Sequence, residues 1–171
     1  MKRYLLMKRH LLLLALLLGS SVGTPAFAGT TTYGQHYSSS VQSSPSNPTG
    51  AGTTGKMMGL AGSITPLYTG NVLILISGDL TSSIAADGGQ VQIRYGTGTA
   101  PSNGATITGT ALGGLVTLST PGTAAAKFPF ALNAIVTGLT IGTVYWIDIS
   151  CTAVTGGTAT PADISLSAYE L

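Results

Sequence analysis

Asn71-Val-Leu-Ile-Leu-Ile-Ser77 decides the fold. Its central residues are all β-branched or leucine, uncharged and consecutive, a run of strand length rather than helix length. Side chains alternate faces along a strand, so this one is apolar on both sides. It must be central in a covered sheet, or bury its second face against another subunit.

Outward from it, the chain from Met57 to Leu171 breaks into short apolar runs separated by Gly, Pro, Asn and Asp. The spacing has period 2, and no stretch keeps a helical period over three turns. Gln90 to Tyr95 sets Val91, Ile93 and Tyr95 against Gln90, Gln92 and Arg94. Phe128 to Val136 places Phe128, Phe130, Leu132, Ala134 and Val136 on one face, with Pro129 marking a strand start or an edge. Val144 to Thr152 aims Tyr145, Ile147, Ile149 and Cys151 inward and Trp146, Asp148 and Ser150 outward. Asp163 to Leu171 offers Ile164, Leu166 and Ala168, and weaker runs lie at Leu60 to Leu67, Ala105 to Leu112 and Leu115 to Ser119. Asp87-Gly88-Gly89, Asn103-Gly104, Pro121-Gly122 and Gly156-Gly157 supply turn chemistry between them. About eight short strands at this spacing predict an all-β fold, an antiparallel β-sandwich or barrel.

Upstream the character changes. Residues 29 to 56 are almost entirely Gly, Ser, Thr, Pro, Asn and Gln with two tyrosines. Such a stretch buries too little surface to offset its ordering entropy, so it reads as a flexible tether. Before it, a basic stretch from Met1 to His10 precedes an apolar run from Leu11 to Leu18 and an Ala26-Phe27-Ala28 end. Residues 1 to 28 therefore read as a cleaved secretory signal, and the apolar run is far short of the roughly 20 residues that span a bilayer. Met7-Lys-Arg-His-Leu-Leu12 nearly repeats the first six residues, so Met1 and Met7 are both possible starts. The expected product is secreted or periplasmic, with no membrane span after cleavage.

The signal also distorts the charge. The whole chain has a formal net charge of +2. Lys2, Arg3, Lys8 and Arg9 lie in the signal, leaving Lys56, Arg94 and Lys127 against Asp79, Asp87, Asp148, Asp163 and Glu170. A mildly acidic chain without clustered Lys and Arg excludes a nucleic-acid binder.

Catalytic motifs are equally sparse. The one histidine outside the signal, His36, lies in the tether, which leaves no Ser-His-Asp triad. Gly96-Thr-Gly98 runs into Ala100-Pro101 rather than a helix and reads as a turn, not a phosphate loop. Asp79, Asp87, Asp148 and Asp163 lack the aromatic setting of a glycosidase pair, and Asp87 and Asp163 are natural turn residues. No metal or other cofactor is expected. The single cysteine, Cys151, permits no internal disulfide and reads as a small buried hydrophobe. No enzyme is expected. The candidate binding residues are the aromatics Trp146, Tyr68 and Tyr169, which suit a cell-surface glycan or protein.

Four signatures span nearly all of residues 57 to 171: Gly70-Asn-Val-Leu-Ile-Leu-Ile-Ser-Gly78; Arg94-Tyr-Gly-Thr-Gly-Thr-Ala-Pro101 with Asn103-Gly104; Gly138-Leu139 with Gly142-Thr-Val-Tyr-Trp-Ile-Asp148; and Ser165-Leu-Ser-Ala-Tyr-Glu-Leu171. Together they resemble short, mostly uncharacterised domains of bacteriophages and prophages. The early Gly-led apolar strand and the final C-terminal strand resemble the trimeric jelly-roll heads (C1q/TNF-like) of tail-fibre tips. That resemblance implies a jelly roll. Gly138-Leu-Thr-Ile-Gly-Thr-Val-Tyr145 also resembles the strand E–F corner of fibronectin type III domains. Ile141 stands where proline is common there, and Asn71 to Ser77 holds no tryptophan, so the jelly roll is favoured over an Ig/fibronectin-like sandwich. A signal peptide implies an exported relative, because phage structural proteins assemble in the cytoplasm. The expected function is a non-enzymatic surface adhesion, structural or recognition module, self-associated as a homotrimer through the doubly apolar strand. The alternative is a carbohydrate-binding module using exposed aromatics.

Overall fold

A computed structural model describes residues 37–41, 50–119 and 122–171. Residues 1 to 28, expected to be a secretory signal, and His36 lie outside the described residues. The described residues contain strands, turns and loops and no helix. The strands are β1 (Tyr37–Val41), β2 (Lys56–Met57), β3 (Gly62–Ile64), β4 (Val72–Ser82), β5 (Gly88–Thr97), β6 (Thr110–Ser119), β7 (Phe128–Val136), β8 (Tyr145–Ala153) and β9 (Ala159–Glu170).

They form two antiparallel sheets, which makes the domain an all-β sandwich. One sheet has the order β1-β9-β4-β7, and the other has β2-β8-β5-β6 with β3 also paired to β8. The chain passes from one sheet to the other at every connection except β2–β3 and β5–β6, which stay within the second sheet.

The doubly apolar strand lies inside its sheet. β4 pairs with β7 on one side and β9 on the other. Val72, Ile74, Ile76 and Leu80 point into the core and are at most 1% exposed. They meet Val91, Ile93, Ile147, Ile149 and Cys151 of the facing sheet, with Ile164, Leu166 and Ala168 of β9 alongside. Leu73 and Leu75 point the other way, and Leu75 is exposed.

Three strands depart from their expected extents for physical reasons. β4 runs on to Ser82 because a register shift between Ser77 and Asp79 absorbs Gly78 without ending the ladder. β9 starts at Ala159, and Asp163, a natural turn residue, is instead a bulge within it at φ 50°. The two weak runs around residue 113 are one strand, β6, with Gly113 and Gly114 in an irregularity opposite Gln92.

The sandwich also begins earlier than residue 57. Tyr37–Val41 pairs with Tyr169–Ser165 of β9, and Ala51 is fully buried and bridged to Ala159. Small residues in a Ser/Thr/Gly-rich stretch carry no apolar signal, yet backbone hydrogen bonding can still add them to a sheet edge.

Candidate functional site

The three candidate aromatics sit toward one end of the sandwich, where β3, β5 and β7 end and β4 and β8 begin. That end is built from the β3–β4 loop, the β7–β8 loop and the last residues of β9. Glu170 organises it. Alternation puts this carboxylate on the same inward face of β9 as Ile164, Leu166 and Ala168, and only 3% of the residue is exposed. Such a charge needs partners. The backbone N–H groups of Leu67, Tyr68, Thr69 and Gly70 all donate to it, at 2.6 to 3.1 Å. Against the opposing effect of burial, these four donors hold the Glu170 carboxyl down at about 2. The loop is thus wrapped around an anion and fixed in shape.

Further bonds knit the loops together. Gly142 N donates to Pro66 O at 2.7 Å, Leu139 N to Gly70 O at 2.9 Å, and Leu171 N to Asn71 O at 2.8 Å. The Tyr145 hydroxyl accepts from Thr140 N at 3.0 Å, pinning the turn that precedes β8. On this fixed frame Leu67, Tyr68, Ile141, Val144 and Leu171 are exposed. Tyr68, at 54%, is a free aromatic surface on a rigid loop. Tyr169 is half-buried and lies beside Leu73 in the ladder.

Trp146 is not on that surface. Alternation predicts an outward residue, and Trp146 does lie on the outer side of β8, but it is 5% exposed. Gly96 and Gly109 fit closely over its ring, where an added Cβ would come within 2.6 and 2.2 Å of it. Its Nε1–H donates to Thr97 O at 3.1 Å. The tryptophan anchors the β5–β6 loop, and its ring is unavailable for stacking on a sugar.

The same loop also runs along the outer edge of β2. Met57 N donates to Ala105 O and Gly104 N to Met57 O, each at 2.9 Å. Asp148 and Ser150, also expected to face solvent, are 1% and 4% exposed. Asp148 accepts from Gly59 N at 2.9 Å, Leu60 N at 3.1 Å and its neighbour Ile149 N at 2.7 Å, holding the bulge between β2 and β3. Burial outweighs these donors and pushes its carboxyl up to about 6. Cys151 is fully buried, and burial pushes its thiol up to about 12, which makes it inert at neutral pH.

The remaining carboxylates are engaged as well. Asp87 accepts from Thr155 N at 2.9 Å and Gly157 N at 3.0 Å, tying the β8–β9 loop to the β4–β5 turn. Against the opposing effect of burial, hydrogen bonding holds its carboxyl below its ordinary value. Lys127 bonds to Asp163 and lies 3.7 Å from Asp79 on the exposed surface. Among the described residues no three His, Cys, Asp or Glu side chains form a group that could hold a metal ion. No helix among them is long and apolar enough to cross a membrane.

Sequence reading misses Glu170. Its signal is present all the same, since continuing the inward set Ile164, Leu166, Ala168 by two residues puts a carboxylate on the buried face.

Comparison with known proteins adds little to this geometry. No protein-family model matches the chain, and no curated protein matches it. Among solved structures, a chain from a structure of infectious bursal disease virus, Gt strain, is similar at 15% identity with a TM-score of 0.40. The match covers 79% of this chain and 30% of the viral one, so this chain spans under a third of that protein's length.

Proposed function

We propose that this protein is a non-enzymatic, exported β-sandwich that serves as a structural or recognition module at a surface, of the kind found in phage-type assemblies. The reading starts from what its polar groups do. Asp87, Asp148 and Glu170 hold loops through backbone N–H groups, and Asp79 and Asp163 flank Lys127. Every carboxylate in the domain thus has a structural task. What the domain offers instead is a fixed apolar surface at one end and an apolar sheet face.

The finer fold we infer is a jelly roll. Ig constant-type sandwiches join several consecutive strand pairs within one sheet, whereas a jelly roll alternates sheets through two Greek keys. In the order β1-β9-β4-β7 against β2-β8-β5-β6, β2 and β3 follow one another along the same side of β8. That leaves β5–β6 as the single hairpin between neighbouring strands, which supports the second.

The observation that carries self-association is the outer face of the β1-β9-β4-β7 sheet. Leu73 pairs with Ile135 and Tyr169, and Leu75 with Asn133 and Ser167. Ile135 is 53% and Leu75 39% exposed, and the paired positions around them carry no charge. We infer that this face meets its counterparts in a homotrimer. Light scattering on the purified protein should give a mass that is a multiple of three chains, and Leu75→Lys should lower it threefold. A wild-type mass that is not a multiple of three chains overturns the trimer.

A carbohydrate-binding reading retains one specific support, the exposed Tyr68 on its Glu170-fixed loop. A glycan array should then show binding that Tyr68→Ala abolishes while leaving the melting temperature unchanged. Binding untouched by that change removes Tyr68 from the reading.

A further inference from the structure

Sheet edges present unpaired backbone N–H and C=O groups, and proteins protect them with charges, prolines, bulges or covering loops. β2 is covered, since Ala105 and Gly104 hydrogen-bond to Met57 on its far side. β7 carries Pro129, and Lys127 stands just before it. β6 is the opposite edge of the second sheet from β2 and differs from both β2 and β7. Its ten residues, Thr-Ala-Leu-Gly-Gly-Leu-Val-Thr-Leu-Ser, include no charge and no proline, and none of them is buried.

We propose that β6 pairs edge to edge with β6 of a second copy of this chain, about a two-fold axis at Gly114. This interface is distinct from the sheet face proposed above. In an isologous contact every residue meets the same patch on its partner, so a charged strand would repel itself and an uncharged one does not. The strand also matches itself. An antiparallel copy centred on Gly114 pairs Leu112 with Val116 and Ala111 with Thr117. Leu112 and Val116 pack toward the core, opposite Ile93 and Val91, while Ala111 and Thr117 lie opposite Arg94 and Gln90. Inward residues therefore meet inward residues. Beside this edge is a cleft of about 150 Å³ bounded by Ile93, Leu112, Val116 and Leu132, which an added strand covers. The bulge at Gly113 to Leu115 interrupts the strand, so two short arms rather than one continuous ladder carry the pairing.

Gly114 supplies the test, because an added Cβ there meets nothing within 4 Å. On the proposed two-fold axis Gly114 faces Gly114 of the second copy, so a cysteine placed there faces the same cysteine across the axis. In the full chain, Gly114→Cys should convert the monomer band to a disulfide-linked dimer under mild oxidation. Gly156→Cys, in the open loop between β8 and β9, should not. Equal cross-linking of both, or of neither, overturns the proposal. As an independent arm, Gly114→Asp and Gly114→Lys should each halve the mass seen by sedimentation, and mixing the two should restore it. Masses unchanged by either substitution also overturn it. Leu75→Lys should leave the Gly114→Cys cross-link intact, so failure at the sheet face and failure at the β6 edge give different results.

Discussion

Glu170 and Trp146 are the two side chains on which the loop end of the sandwich depends, and each carries a prediction. Removing the Glu170 charge leaves the N–H groups of Leu67, Tyr68, Thr69 and Gly70 facing a poorer acceptor. Hydrogen bonds to a charged group are worth about 1.5–3 kcal/mol, so Glu170→Gln should lower stability by about 2 kcal/mol in urea denaturation. Amide exchange should accelerate at residues 67 to 70 before it does in β4. Uniform acceleration throughout the domain would mean that Glu170 acts on the core and not on the loop. Trp146 reports on the other loop. As the chain's single tryptophan, held at 5% exposure, it should emit at short wavelength. Gly109 sits over it at φ 74°, a conformation that favours glycine. Gly109→Ala adds a Cβ within 2.2 Å of the ring, so it should red-shift that emission and cost about 2 kcal/mol or more. A wild-type spectrum already typical of a solvated indole would contradict the burial.

At the scale of elements, β9 holds the first sheet together, because it lies between β1 and β4 rather than at an edge. Its loss leaves one backbone edge of the fold's most apolar strand unpaired. Truncation at Asp163 removes Ile164, Leu166 and Ala168 from the core and uncovers the β4 ladder from Val72 to Ser77. Unpaired, uncharged β-branched segments aggregate. The truncated chain should appear in the insoluble fraction, and a soluble, cooperatively melting product would contradict the pairing. The same strand shows what is legible in the sequence. The period-2 pattern places Ile164, Leu166 and Ala168 correctly, and it finds β4, β5, β7 and β8 in the same way. It loses accuracy where backbone rather than side chains decides. Asp163 continues the strand as a bulge, and the Gly113–Gly114 pair bends β6 without ending it. Burial of Trp146 depends on where the β5–β6 loop folds back, that of Asp148 on the β2–β3 connection at Gly59 and Leu60, and Ser150 is bonded by Arg94. Alternation assigns a residue to a face, but it says nothing about what later covers that face.

For the whole molecule, two carboxylates set opposite demands on pH. Glu170 titrates at about 2 in the folded chain against an ordinary 4.5. Its stabilisation is complete above 4.5 and is lost as pH falls from there toward 2. Asp148 is the reverse case, raised from an ordinary 3.8 to about 6 by burial. At neutral pH the folded state carries an unfavourable buried charge. As pH falls through 6 the native state takes up a proton before the unfolded chain does, so stability rises until about 3.8. Each tenfold difference in proton affinity between the folded and unfolded chain is worth about 1.4 kcal/mol, which makes this gain about 2–3 kcal/mol at most. Arg94, paired opposite Asp148 on β5, directs its guanidinium to Ser150 and Gln92 instead, so it does not cancel the effect through a direct bond. The sum is a maximum of stability on the acidic side, between about 3.8 and 4.5, where the two slopes balance, rather than at neutrality. Urea midpoints measured from about pH 8 to about pH 3 should trace that maximum. Asp148→Asn should flatten the arm between about pH 7 and 5 and leave the fall below 4.5 in place, because Glu170 still titrates there. If the arm on the neutral side of the maximum persists unchanged in Asp148→Asn, the buried carboxyl on β8 is not its source.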